Sequence, residues 1–575
     1  MTENDPQGRH EPGADGGTDA GADAMTDRFH DVAERVCDAL LAESPEWASD
    51  LGDHRHDDRL TDHSADADTR RAGMLGDALG ALDEIDDLLL SAADRVDLEM
   101  LRDRVSADLW RLTELRPHTW DPLLHLPGDA LYGLITRATH PAEERVASLC
   151  ARLDAVPDFL ATARTRLAGG PGMPRVHVET AIAQAEGIVT LLGGEVDTLL
   201  EHAPALRPRV DAARGGAVAA LRDHLDWLRS RLDGATADPR LGERTFAAQL
   251  WYTLDSEISQ DALLTRAESD LLATEEAIAE AAAEYDGTPR YPGQVRDVLD
   301  RIATATATTA DTIRPLAEEA FEHLLGRMRE IDLASVPDHP VKVITMPEAR
   351  RGVAVAYCDP PGPLSPAEGE PTLIAVAPPP ADWSAGRQAS FYREYNATLL
   401  RNLMVHEGIP GHALQLAHAA GYTGGTRVRR ALWSGTFIEG WAVYCEDVLA
   451  HHGWAEGAER DNLALRLVQL KMRLRMIINA ILDVRTHAFG LTETEAMALL
   501  TERGHQEEGE AAGKWRRAQL TSAQLSTYYV GYREVADLAR DLRKARPGAG
   551  MREIHDAMLA HGSPAPRHLR TLLGV

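Results

Sequence analysis

From Phe29 to about Glu330 the chain repeats one signal: apolar residues at helical spacing, in runs rich in Ala, Leu, Arg, Glu and Asp, with glycine and proline mainly between the runs. Strand signals are nearly absent there, so the fold class is mainly α. Phe29 to Ala42 carries Val32, Val36 and Leu40 on one face and must stop before Ser44-Pro45, because the residue before a proline is pushed out of the α region. Further helices are expected within residues 64–115, 141–168, 177–203, 208–233, 257–285 and 291–330. No fixed period recurs, which argues against a regular solenoid. Asp53-His-Arg-His-Asp-Asp58, followed by His63, has metal-friendly side chains but no enclosing apolar frame, and it is expected to be a solvated turn.

The helical pattern breaks between Pro337 and Pro380, where 11 of the 31 prolines fall. Val341 to Thr345, Gly352 to Tyr357 and Thr372 to Ala377 are β-branched or alternating runs, enough for a small antiparallel sheet. If an edge strand of that sheet borders the site described next, an extended peptide can pair with it through backbone hydrogen bonds.

A helix expected to start near Phe391 carries Leu399-Leu-Arg-Asn-Leu-Met-Val-His-Glu-Gly-Ile-Pro-Gly-His-Ala-Leu-Gln415. In the usual His-Glu-x-x-His signature the histidines lie four apart, so one helix face presents both imidazoles to Zn²⁺ beside a glutamate that activates water. Here His406 and His412 are six apart, about 240° round an unbroken helix. Convergence therefore requires a break. Pro410 and Gly411 supply one, since proline removes an N–H and clashes with the preceding turn while glycine accepts unusual dihedrals.

A catalytic zinc needs a third protein ligand and an open position. Glu439, in the apolar stretch Thr436-Phe-Ile-Glu-Gly-Trp-Ala-Val-Tyr-Cys-Glu446, is the best candidate, and Glu446, seven residues on and nearly on the same face, is either an acceptor for a ligand imidazole or a solvent-facing helix charge. Asp483 and His487, four apart, are either a local pair or a carboxylate orienting a ligand beside an imidazole contacting substrate. Gln524-Leu-Ser-Thr-Tyr-Tyr-Val-Gly-Tyr532 holds three tyrosines, any of which could donate to the oxyanion of a tetrahedral intermediate if it reaches the metal. Arg427, Arg429 and Arg430, or Arg473 and Arg475, are candidates to clamp a peptide carboxylate or are simply charged helix faces.

Composition bounds the partners. With 575 residues, two lobes or one large elaborated domain are expected. Acidic residues outnumber basic ones 91 to 60, a formal charge of -31 that opposes nucleic acid and anionic membranes. Cys37, Cys150, Cys358 and Cys445 have neither disulfide-scaffold nor zinc-ribbon spacing, so a reduced cytoplasmic setting is expected. Residues 1–25 lack a basic start followed by an apolar run and are expected to be a disordered tail rather than a signal peptide, and no apolar run is long enough to span a bilayer.

His406-Glu-Gly-Ile-Pro-Gly-His412, Glu439-Gly-Trp-Ala442, Asp483 to His487 and Tyr528-Tyr-Val-Gly531 together resemble the bacterial family known as domain of unknown function 885, as does Ser44-Pro-Glu-Trp-Ala48 followed by Leu51-Gly52. The chain departs from that pattern at Ser522-Ala523, where Pro-Gly is usual, and at Ala413, often a histidine. The resemblance implies a mainly helical fold with a deep cleft, akin to zinc carboxypeptidases and oligopeptidases. It implies one zinc ion held by His406, His412 and Glu439, with Glu407 as general base. It also implies Tyr528 as the transition-state donor, with Tyr529 as its rival.

The expectation is thus a tail (1–25), a helical lobe (26–335), a Pro-rich β segment (336–385) and a helical metal-binding catalytic lobe (386–575). The expected function is that of a zinc-dependent hydrolase, a metallopeptidase cleaving short peptides. The alternatives are a metal-dependent hydrolase or lyase of a small non-peptide metabolite, or a non-enzymatic helical binding protein with structural zinc. Glu407 separates the last of these from the two enzymatic readings, because a structural site needs no adjacent base and is normally closed by four protein ligands. Oligomeric state is not legible from one sequence.

Overall fold

A computed structural model describes residues 16–137, 139–346, 355–365, 369–380 and 383–575. It is mainly helical with one three-stranded sheet. The first helix runs Gly16–Glu43 and ends where Ser44-Pro45 requires, but it starts inside the stretch expected to be a tail; residues 1–15 lie outside the described residues. The start of the second expected strand, Gly352, lies outside them too.

Three cores organise the helices. Helices Gly16–Glu43, Ala65–Asp83 and Ala92–Trp110 close over Phe29, Leu75, Leu82 and Leu101, joined by Val428 and Leu432 from the far end of the chain. Helices Gly128–Thr136, Ala142–Ala168, Arg175–Leu200 and Arg207–Arg231 bury Leu149, Leu153, Leu192 and Leu221. The largest core starts at Phe246 and takes in the helices Glu243–Leu254, Gln260–Asp286, Gln294–Ala305 and Ile313–Ile331 together with nearly all later ones. The largest core thus begins near residue 246, while the first core reaches forward to Val428 and Leu432. Helical periodicity shows that a face is buried but not which distant helix covers it.

The sheet has strands β1 (Val341–Thr345), β2 (Ala356–Asp359) and β3 (Thr372–Val376) in the order β1-β3-β2. It is mixed rather than antiparallel. Val343 pairs with Ile374 in a parallel ladder and Cys358 with Ile374 in an antiparallel one. β3, whose Ile374, Ala375 and Val376 are fully buried, lies in the middle, which leaves β2 at an edge.

The site is built by six helices: α1 (Ala397–Glu407), α2 (His412–Ala420), α3 (Gly435–His452), α4 (Glu459–Phe489), α5 (Glu508–Leu520) and α6 (Ser526–Ala545). α1 starts later than expected, because a separate helix, Ala385–Glu394, precedes it and the Asn396 side chain caps the N–H groups of Thr398 and Leu399. α3 and α6 cross at Gly440 and Gly531.

The Asp53–His63 loop is not the solvated turn expected. Asp57 is buried and accepts hydrogen bonds from His54 Nδ1 at 2.8 Å and from Ser49 Oγ, while His63 packs on His125 and Phe159. The enclosing frame comes from helices beyond residue 128, out of reach of a local reading.

Candidate metal centre

α1 ends at Glu407 and α2 begins at His412, so the six-residue spacing is spanned by a break and not by a helix. Ile409-Pro410 is a cis peptide, and the Pro410 carbonyl oxygen accepts from Trp441 Nε1 at 2.8 Å. Gly411 admits no side chain, since a Cβ there would stand 2.0 Å from the His406 carbonyl oxygen. The break brings the imidazoles of His406 and His412 to 4.6 Å between ring centroids at 82°. α3 delivers Glu439 between them, with Oε2 at 3.4 Å from His406 Nε2 and 3.5 Å from His412 Nε2.

The polar atoms behind this group are ordered. His406 Nδ1 lies 2.7 Å from Glu446 Oε1, and Glu446 Oε2 accepts from Asn402 Nδ2 at 2.7 Å. A carboxylate on Nδ1 fixes the tautomer that turns the Nε2 lone pair toward Glu439. Glu446 thus takes the position expected of it. Glu439 Oε2 and His412 Nδ1 are buried without a hydrogen-bond partner among the described residues. Burial would raise the Glu439 carboxyl, but the two imidazoles hold it well below the usual carboxylate range.

Glu407 stands apart from this three-residue group. Burial pushes its carboxyl up against the pull of both imidazoles and of the Cys358 backbone N–H on edge strand β2, which packs against α1. The sheet therefore borders the site, as the peptide-pairing expectation requires.

Burial, helped by the Glu439 charge, raises the Tyr528 phenol. Its hydroxyl lies 3.3 Å from Arg517 Nη2 and 3.4 Å from Gln524 Nε2. Tyr529, the rival, is committed elsewhere: its hydroxyl donates to Asp270 Oδ2 at 2.7 Å. Tyr532 donates to Asp447 Oδ2 at 2.9 Å.

Two expectations need correction. Asp483 is fully buried but touches no ligand imidazole; it accepts from the N–H groups of Ala523 and Ser526 at 3.0 and 2.9 Å and from Ser526 Oγ at 2.8 Å. A carboxylate at that helix start anchors α6, and with it Tyr528. His487 is not turned to the metal group either. Its Nε2 faces the carbonyl oxygens of Ala518 and Thr521 at 2.9 and 2.8 Å and its ring stacks on Phe246, so it ties α4 to the end of α5.

Four of the five arginines weighed as carboxylate clamps are paired within the protein: Arg427 with Glu34 and Asp38, Arg429 with buried Asp97, Arg473 with Asp447 and Arg475 with Glu510; Arg430 has no ion pair among the described residues. Arg517 and Asn402 were missed. Arg517 lies in a polar helix with no motif, and only its position seven residues before Gln524 could have drawn attention. Among the described residues two other groups of three have metal-ligand side chains, His54–Asp57–His140 and Asp103–Asp255–His568. Each already has a cation: Arg152 at 3.9 Å from Asp57, and Arg567 at 2.6 Å from Asp255. The His406–His412–Glu439 group has no such arginine or lysine pair among the described residues.

Fold and site define a mainly helical protein with a small sheet beside a buried His–His–Glu group. The chain belongs to the family described as "Bacterial protein of unknown function (DUF885)", whose profile matches residues 45–573. Two solved structures share the fold. One is a protein of unknown function from Shewanella oneidensis, described as a candidate lipoprotein (TM-score 0.77, 24% identity, covering 95% of this chain and 100% of the other). The other, from Colwellia psychrerythraea and similarly described, gives a TM-score of 0.76 at 16% identity over 96% of this chain and 99% of the other. No curated protein matches the chain. Among the described residues no helix is long and apolar enough to cross a membrane.

Proposed function

We propose that this protein is a zinc-dependent hydrolase, a metallopeptidase acting on short peptides. The observation that carries the reading is the division of labour between Glu439, drawn in between two imidazoles, and Glu407, which adjoins them without joining them. A structural zinc site would normally be closed by four protein ligands and has no use for such a carboxylate. The separations of 3.4 and 3.5 Å match the edge of a tetrahedron around Zn²⁺ with ligand bonds of about 2.0–2.1 Å, which is roughly 3.3 Å. The unpartnered Glu439 Oε2 is a further sign of a missing cation. His406 Nε2, His412 Nε2 and Glu439 Oε2 would hold the ion.

Bound there, zinc would polarise a scissile carbonyl and make a water acidic near neutral pH. Glu407 takes a proton from the attacking water on its carboxylate and returns it to the leaving amine nitrogen. The Cys358 N–H steadies that carboxylate, and β2, an edge strand among the described residues, offers backbone groups to an extended peptide. With Arg517 and Gln524 donating to the Tyr528 oxygen, the phenol proton is free to meet the carbonyl oxygen as negative charge develops.

The test is Glu407→Gln, assayed for bound zinc by elemental analysis and for cleavage of a short-peptide pool. Retained zinc with turnover reduced by about 10²–10⁴-fold is expected. Full activity in that variant would defeat the mechanism.

A further inference from the structure

The wall of the site formed by α4 and α5 carries more positive than negative charge. Lys471 is matched by Glu394 at 2.8 Å and Arg475 by Glu510. Lys514 and Arg517, one helical turn apart on α5, have no carboxylate at ion-pairing distance among the described residues. Lys514 is buried, 6% exposed, facing Arg475, Arg517 and the already paired Glu510. Arg517 makes only neutral contacts, both through Nη2: Gln524 Oε1 at 2.8 Å and the Tyr528 oxygen at 3.3 Å.

Burying a cation without a counterion is costly, and proteins seldom keep one that has no task. Arg429, Arg473 and Arg475 each have a carboxylate partner, whereas Lys514 and Arg517 stand side by side on this wall without one among the described residues. Arginine adds a planar fork suited to a carboxylate, and its Nε and Nη1 make no hydrogen bond to any described residue.

We propose that Lys514 and Arg517 form an anion subsite that binds the free C-terminal carboxylate of a short peptide, making the protein select its substrates by that end. This rests on the peptidase reading. Arg517 touches the Tyr528 phenol, and that phenol feels the Glu439 charge, so a carboxylate held by Arg517 would leave a peptide bond near the C-terminal end of the substrate at the metal ligands. Burial and the two guanidinium groups press the Lys514 ammonium well below the usual lysine range, and an arriving carboxylate would restore its charge. The amino end of the substrate would meet no such selection.

The experiment uses the zinc-loaded full chain carrying Glu407→Gln, so that nothing is turned over. The probe is an equimolar pool of N-acetylated tripeptides, supplied once as free acids and once as the same sequences with C-terminal amides. Peptides retained on ultrafiltration are read by mass spectrometry. Free acids should be retained at least tenfold over amides, and adding Arg517→Met or Lys514→Met should remove that preference while Arg517→Lys keeps part of it. Thermal melting guards against misfolding, and Lys514→Met should melt no lower than its parent because it removes a buried cation. Equal retention of acids and amides, retention of neither, or a preference surviving both Met substitutions overturns the subsite. Failure of the peptidase reading looks different: the unsubstituted protein would cleave nothing in the pool although the acid preference persists.

Discussion

Gly440 and Gly531 meet backbone to backbone where α3 and α6 cross: a Cβ on Gly440 would lie 2.3 Å from the Gly531 carbonyl carbon, and one on Gly531 2.1 Å from the Thr436 carbonyl oxygen. The glycine after Glu439 and the glycine three residues after Tyr528 are thus one contact. It sets how far the carboxylate on one helix stands from the phenol on the other. Alanine at either position should separate the helices and cost about 3 kcal/mol. Urea denaturation should show the loss, and a variant as stable as the parent would refute the tight crossing.

Glu446 acts through His406. Glu446→Gln keeps the shape but weakens the acceptor on Nδ1, and zinc affinity should fall about 10–100-fold. Competition with a chromogenic chelator measures this directly. Asp483→Asn, by contrast, should leave affinity near the parent value and lower stability, because that carboxylate holds the start of α6 and not an imidazole.

Tyr528 and Tyr529 are adjacent but have opposite assignments. Tyr528→Phe should reduce kcat by about 10²–10³-fold with KM little changed, the pattern of a group that acts on charge developing in the transition state. Tyr529→Phe should keep kcat and lower stability by about 1 kcal/mol, the worth of its hydrogen bond to Asp270. Reversed outcomes would exchange the roles.

His224 supplies a pH prediction. Burial, helped by Arg164 and His125, pushes its imidazole from 6.5 down to about 4. Between those values the unfolded chain binds a proton that the folded one refuses, so stability rises with pH in that window and is flat above and below it. The loss between pH 7 and pH 5 is about 2 kcal/mol for this one group. His177 and His555, also held at about 4, act in the same direction. His224→Leu should therefore lose about 2 kcal/mol less than the parent over that interval, and a comparison of single variants separates this effect from the metal-site imidazoles. An unchanged pH dependence would show that His224 is not neutral in the folded protein.

Much of the candidate metal centre was legible in order. His406, His412, Glu439 and Glu446 announced themselves as polar side chains inside apolar helical runs, which need partners when buried, and Pro410-Gly411 announced the break that lets two of them converge. Asp483 and His487 were misjudged for a physical reason. Their spacing places them on one helix face but does not say whether that face meets a metal, a substrate or, as here, the backbone ends of α5 and α6. The mixed sheet was equally out of reach, since three short strands have the same local pattern whichever way they pair.

The sequence by itself determined the helical class, the small sheet, the break after Glu407 and the identities of the converging residues, because helix period, proline chemistry and the cost of buried polar groups are local. Tertiary structure alone decided that Tyr529 is committed to Asp270, that β2 is an edge strand beside α1, that Val428 and Leu432 join the first core, and that Lys514 and Arg517 are left without ion-paired carboxylates among the described residues. Those are relations between segments far apart in the chain, and they are settled by which faces pack together and not by the pattern along any one of them.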